Sequence, residues 1–342
     1  MNENRKQLSR IGMGYFVFVA LTQVLQLLAG LYVKEYYPQY SESYICLLVV
    51  SLVPMWLIAA PVCFLMEKNI PNKAPEKGKW GVARYIGGLI VAFLFLYAGN
   101  LAGTILGRIV ELLIPGAVAM TNAVQDVAVK GNLVANFIAM VFVAPICEEL
   151  FFRKILVDRL RLYGDLVAIL GSGLFFGLIH GNITQGTYAF VLGCLFAYIY
   201  LRTGNILITI TYHMLINFWG GIATTKLLEK ADFDFMGYMD AVRSSDPEVI
   251  AAFVEQNAEG FAVLGLIGLF MIIIGLAGLV ILVVTIFRKR IIIEKGEIEI
   301  PKGEKIKTML LNPGMILFIL ACLAMIVYAT FSKMIMAALG IG

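Results

Sequence analysis

Charge is scarce in this sequence. Only 15% of its 342 residues are Asp, Glu, Lys or Arg, against about a quarter in an ordinary soluble domain. Hydrophobic residues make up 60%, and the mean hydropathy is +0.87. A soluble globule could not cover so much apolar surface, so the composition requires a membrane protein of many spans. Histidine occurs twice in the whole chain. Cysteine occurs five times (Cys46, Cys63, Cys147, Cys194, Cys322), always inside an apolar run and never as CxxC. That excludes a disulfide framework and a thiolate zinc site, and leaves buried packing as the expected role. The HExxH pattern of many zinc proteases is missing, as are internal repeats and low-complexity tracts.

What is present is a series of long apolar runs. Nine are near the roughly 20 residues that a spanning helix needs: 12–33, 44–66, 86–107, 133–157, 166–183, 187–201, 205–225, 260–286 and 310–336. The sixth is the shortest. The basic N-terminus followed by Gly12–Val33 mimics a signal peptide. The run exceeds the h-region length of about 7–15 residues and lacks a small-x-small cleavage site, so it reads as a retained first span. The expected fold is an all-α polytopic bundle of eight to nine spans.

Lysine and arginine placement orients these spans. With the N-terminus in the cytosol, the inner segments are 1–11, 67–85, 158–165, 202–204 and 287–309. Together with Arg153 and Lys154 they hold 20 of the 27 basic residues. This satisfies the positive-inside rule in each alternation. The expected location is therefore the cell membrane, multi-pass, N-terminus cytosolic. Lys230–Gly260 reads as an acidic outer loop. In the inner loop Arg288–Lys307, "IIIEKGEIEI" could turn at Gly296 as a short hairpin. The loop's basic end suits anionic lipid. No nucleic-acid partner is expected.

Against this apolar background, "PICEELFFRK" (Pro145–Lys154) stands out. A charged side chain at mid-membrane costs at least about 2.5–3.5 kcal/mol, yet Glu148 and Glu149 lie side by side. Both histidines, His180 and His213, also fall inside apolar runs. At about 1.5 Å per residue, Glu148 lies about 15 Å from the inner face, His180 about 21 Å, His213 about 12 Å and Asn217 about 18 Å. Helical spacing adds the faces. Glu149 and Arg153 are i,i+4 and can pair. His213 and Asn217 share a face, and Phe176 sits one turn before His180. Glu148 points about 100° away from Glu149, so the two acids can have different tasks.

A buried carboxylate beside an imidazole can hold and deprotonate water. A second imidazole and a carboxamide on one helix face can donate to a developing oxyanion. A transporter or proton relay also uses intramembrane acids and histidines, but would be expected in two related halves, which the chain lacks. A metalloenzyme would use Glu148, His180 and His213 as ligands, a set that suits zinc. A non-catalytic immunity or scaffold protein is the remaining alternative.

"EELFFR" (Glu148–Arg153), "FGLIH" (Phe176–His180) and "HMLIN" (His213–Asn217) resemble the EExxxR, FxxxH and HxxxN motifs of the CAAX-protease and bacteriocin-processing family, which includes the Rce1-type prenyl-protein endoproteases. The resemblance covers residues 131–225. It implies an intramembrane endopeptidase whose site lies inside the bundle, acting on a membrane-associated peptide or protein in contact with membrane lipid. It also implies that Glu148 and His180 activate the water, that His213 and Asn217 form the oxyanion site, and that Glu149 and Arg153 are structural or assist. No cofactor is assigned from the sequence, and zinc on Glu148, His180 and His213 is the alternative. The chain then divides into N-terminal spans (1–130), a catalytic core (131–225), and an outer acidic loop with two C-terminal spans flanking the basic inner loop (226–342).

Overall fold

The computed structural model describes residues 2–119 and 132–338. The proposed division at 130/131, and Lys130 with it, lies outside them. Twelve helices form the described part: α1 Glu3–Tyr36, α2 Tyr44–Glu67, α3 Val82–Leu113, α4 Leu133–Tyr163, α5 Asp165–Leu178, α6 Ile183–Thr203, α7 Ile206–Lys230, α8 Phe235–Ser244, α9 Pro247–Gln256, α10 Ala258–Phe287, α11 Lys305–Met309 and α12 Pro313–Ala338. Eight of them are long and apolar enough to cross a membrane. The protein is an all-α, multi-pass membrane protein. In hydrocarbon the helix is favoured because it satisfies its backbone groups internally.

The fifth sequence candidate, 166–183, is not a full span. Helix α5 has 14 residues, about 21 Å of rise. The short element is thus α5, and α6, the run expected to be shortest, has 21 residues. The reason is local. Gly181 takes the left-handed conformation (φ +67°), which glycine adopts without steric cost. Asn182 then caps α6 by accepting from the Gln185 N–H at 2.7 Å. His180 therefore sits in the turn after α5, at the tip of a hairpin, rather than within a helix.

The two arms of that hairpin pack through glycines. A Cβ added at Gly177 would lie 2.7 Å from the Gly186 carbonyl oxygen, and one at Gly173 2.3 Å from Cys194 Sγ. Small residues that let backbones approach this closely drive helix association in membranes. At the foot of the hairpin Arg202 joins Asp165 across the two arms and reaches Glu294 at 2.8 Å.

Two apolar clusters result. The larger joins α1, α4, α5 and α12 through Tyr15, Phe18, Phe151, Phe152, Phe175, Phe176 and Phe318. The smaller joins α3, α6 and α7 through Ala92, Leu192, Phe196, Ile208 and Tyr212. Of the cysteines, only Cys63 and Cys322 are fully buried; all five are free.

The five basic segments meet at one pole. Arg5 donates to Leu311 O at 2.7 Å, Arg10 to Met66 O at 3.2 Å and Arg161 to Ala74 O at 2.7 Å. Backbone bonds join Lys73 to Asp158, Gly78 to Thr203 and Ile298 to Leu162. The loop Arg288–Lys307 forms no hairpin. Its Lys295 makes an isolated bridge to Gly164 instead, and the Ile298 N–H donates to Leu162 O at 2.9 Å, so the loop's backbone pairs with the α4–α5 turn. At the opposite pole the acidic segment after α7 is largely helical, α8 and α9, folded around Phe233, Phe253 and Phe261.

Candidate active site

The site residues come from α4, the α5 tip and α7, where the two apolar clusters meet. Helix α4 is not uniform. Phe137–Val143 and Leu150–Val157 have the wider i→i+5 turn, as does Phe218–Ala223 in α7. Such stretches recur at functional sites. Here they flank Glu148 and Glu149 on both sides and follow Asn217 directly.

The first wide stretch has a chemical consequence. The Ala144 N–H bonds back to Ala139 O, so the next donor in that register would be residue 145, for Met140 O. Residue 145 is proline and has no N–H. The Asn217 side chain fills the gap, donating Nδ2 to Met140 O at 2.9 Å. The carboxamide thus pins α7 to α4 through the carbonyl that Pro145 leaves open, and keeps one amide hydrogen.

Glu149 is fully buried, with Arg153 and His213 among its partners. Arg153 donates Nε to its Oε2 at 2.9 Å and Nη2 to its Oε1 at 3.1 Å, and the same Oε1 is 3.1 Å from His213 Nδ1. Arg153, also fully buried, gives its remaining Nη1 to Ser172 Oγ at 2.6 Å, and Ser172 passes its hydroxyl to Phe152 O at 3.2 Å. The guanidinium carbon lies 4.9 Å from the Phe176 ring centroid and 5.6 Å from that of Phe196, so cation–π contact adds to a charge that is already paired.

Glu149 also settles the tautomer of His213. A carboxylate can only accept, so Nδ1 carries the proton. Nε2 then points toward Glu148, whose Oε2 is 3.7 Å away. That is too long for a direct hydrogen bond and suited to a bridging water. Glu148 differs from its neighbour in access: its side chain is 19% exposed, that of Glu149 0%. It lies between the buried stripe of α4 (Pro145, Glu149, Phe152) and an outward stripe (Phe142, Ile146, Leu150).

His180 stands apart. Its Nδ1 is 2.6 Å from Phe176 O, one turn back. Among the described residues no hydrogen bond or ion pair joins it to Glu148. Phe176 touches both imidazoles edge-on, His180 at 4.9 Å and His213 at 5.8 Å between ring centroids, and so spaces the two.

Comparison with known proteins places this region. Residues 130–219, which include every residue named above from Met140 to Asn217, match the family described as type II CAAX prenyl endopeptidase Rce1-like. This stretch of the chain is similar to the Rce1-like family. A Bacillus subtilis (strain 168) protein named "Putative membrane peptidase YdiL" is 27% identical over 172 residues, 46% of this chain and 64% of that protein. The chain therefore matches less than two thirds of that relative's length. No solved structure gives a match.

In this Rce1-like core, the sequence motifs locate all seven candidates (Glu148, Glu149, Arg153, Phe176, His180, His213, Asn217), and the fold gathers six of them into two linked groups: Glu148–His213–Glu149–Arg153, and Phe176 with His180 against that group's edge. Asn217 anchors the frame at Met140. Ser172 and Phe196 were not legible as site residues. A lone serine or phenylalanine in an apolar run carries no pattern, though Pro145 does signal that a carbonyl one turn earlier needs a donor. As to metal, among the described residues no three His, Cys, Asp or Glu side chains are gathered as an ion would require. Glu148, His180 and His213 as placed do not fit zinc, and no step below runs through it.

Proposed function

We propose that this protein is a membrane-embedded endopeptidase that hydrolyses a peptide bond in a membrane-associated peptide or protein tail. The reading rests on one observation: His213 stands between two carboxylates, its Nδ1 held by fully buried Glu149 and its Nε2 aimed at the partly exposed Glu148. The match of residues 130–219 to the Rce1-like family and the name of the relative support peptidase chemistry.

In this reading Glu148 and His213 Nε2 hold a water by its two hydrogens. Glu148 takes a proton as the water oxygen attacks the scissile carbonyl, and returns it to the leaving amine when the C–N bond breaks. The pairing differs from that implied by the motifs, which set His180 beside Glu148. The nearer imidazole is His213. The second amide hydrogen of Asn217 is then the donor for the developing oxyanion, while His180, its Nδ1–H held by Phe176 O, offers Nε2 as an acceptor beside the site. Glu149 orients His213, and Arg153 neutralises Glu149.

The substrate reaches the site laterally. Phe142, Ile146 and Leu150, 37–44% exposed, run beside Glu148 along α4, so a tethered segment can approach through the lipid. We place the N-terminus in the cytosol, since the pole that carries most of the lysines and arginines then faces inward. The deciding experiment is release of defined fragments from a membrane-tethered peptide library by purified protein in vesicles, compared with Glu148→Gln. Identical fragments at identical rates would overturn the reading. A scaffold or immunity protein would release none.

A further inference from the structure

Away from the site, a cavity of about 800 Å³ opens at the basic pole, within the size range of small-molecule pockets. Its inner wall is apolar: Leu8 and Ile11 of α1, Leu160 of α4, Leu174 of α5 and Met315 of α12. Neither Glu148, Glu149, His180, His213 nor Asn217 lines it, so it is not the pocket of the proposed reaction. On one side it is bounded by Leu166 and Leu170, 55% and 50% exposed on the outward face of α5. An apolar chain can therefore enter from the bilayer without passing through water. The short α5 and the irregular 288–304 segment leave this space between α1 and α5.

The mouth of the cavity is charged. Lys295, Lys302 and Lys305 belong to its lining and are exposed. Among the described residues none of the three has an ion-pair partner. Two acids share the lining, Glu294 and Glu299. Glu294 is taken by Arg202, whose hydrogen bond and charge hold its carboxyl below the usual range. The unpaired charge at the mouth is thus positive, three lysines against Glu299. A lysine ammonium is a compact charge suited to phosphate.

We infer that this cavity is a binding site for one anionic phospholipid of the surrounding bilayer, with an acyl chain between α1 and α5 and the headgroup phosphate at Lys295, Lys302 and Lys305. The bilayer is the source because the apolar side is open to it. A net negative headgroup is selected because a zwitterionic lipid brings a cation to the same lysines.

The test uses the full-length protein in vesicles of equal phosphatidylglycerol and phosphatidylcholine, extracted gently and read by native mass spectrometry for lipids retained. Phosphatidylglycerol is expected to be retained about thirtyfold over phosphatidylcholine, the order that two lysines near an anionic headgroup supply. Lys302→Gln with Lys305→Gln, both exposed and outside the proposed catalytic group, is expected to bring the ratio to about threefold or less. Leu174→Trp, which fills the cavity, is expected to remove retention of both lipids; Leu170→Trp on the exposed side replaces it if that variant does not accumulate. Equal retention of the two lipids by the unaltered protein, or an undiminished preference in the double lysine variant, would overturn the site. A preference lost with the lysines but untouched by either tryptophan would show surface attraction alone and overturn the cavity's part.

Discussion

Glu149 Oε1 lies 3.1 Å from His213 Nδ1 while the same carboxylate is gripped twice by Arg153. The three residues form one unit. Removing the arginine would leave a buried anion, and removing the glutamate would free the ring and leave the guanidinium only its hydrogen bond to Ser172. The acid that is expensive to keep in a membrane is thereby kept charged, and its charge orients an imidazole.

Glu148→Gln preserves shape and hydrogen bonding but not basicity. A positioned base contributes about 10²–10⁴ in rate. The expected outcome is a loss of that order in fragment release, with the folded yield in detergent unchanged. Wild-type turnover by purified Glu148→Gln would remove Glu148 from the role of base.

Arg153→Ala strips a fully buried anion of its partner, which typically costs about 3–5 kcal/mol. Folded protein recovered in detergent should fall sharply. Ser172→Ala removes one hydrogen bond from the same guanidinium and should cost less, about 1–3 kcal/mol. Thermal unfolding followed by size-exclusion chromatography ranks the two. A fully stable, inactive Arg153→Ala would move the arginine into the catalytic group.

The Asn217–Met140 contact exists because Pro145 lacks a donor. Asn217→Ala should therefore destabilise by about 0.5–1.5 kcal/mol. In a Pro145→Ala background, where residue 145 regains its N–H, the same substitution should cost less. A double-mutant cycle in unfolding free energy measures the difference. Additive effects would mean that the carboxamide does not substitute for the missing backbone donor.

Zinc dependence is tested by exhaustive chelation. Glu148, His180 and His213 as placed do not form a three-ligand set, so fragment release is expected to persist after chelation. Loss of release that added zinc restores, together with one bound zinc per chain by elemental analysis, would require His180 to move toward Glu148 during turnover.

Orientation is read by single cysteines in a cysteine-free background with a membrane-impermeant thiol reagent on intact cells. Gly303 and Glu42 are the positions to use. Both are exposed and lie at opposite poles, and a Cβ at Gly303 meets nothing within 4 Å. Gly164, with φ +111°, and Gly186, packed on Gly177, are unsuitable. Gly303→Cys should be protected and Glu42→Cys labelled. The reverse pattern would place the basic pole outside.

The sequence by itself determined the all-α membrane fold, the grouping of basic segments at one pole and the seven motif residues. It also determined the Glu149–Arg153 pair. Each of these depends on composition or on residues within one turn of a helix, where rise and rotation per residue settle who meets whom. Only the tertiary structure decided that His213, 64 residues from Glu149, binds that acid and faces Glu148. It alone placed Ser172 on Arg153, sent Asn217 to Met140, and ended α5 early enough to put His180 in a turn. Those outcomes depend on how closely the glycine-lined helices approach. They depend also on the wide turn Phe137–Val143 of α4, which rotates the later side chains, Glu148 and Glu149 among them, away from the direction a regular helical repeat assigns them.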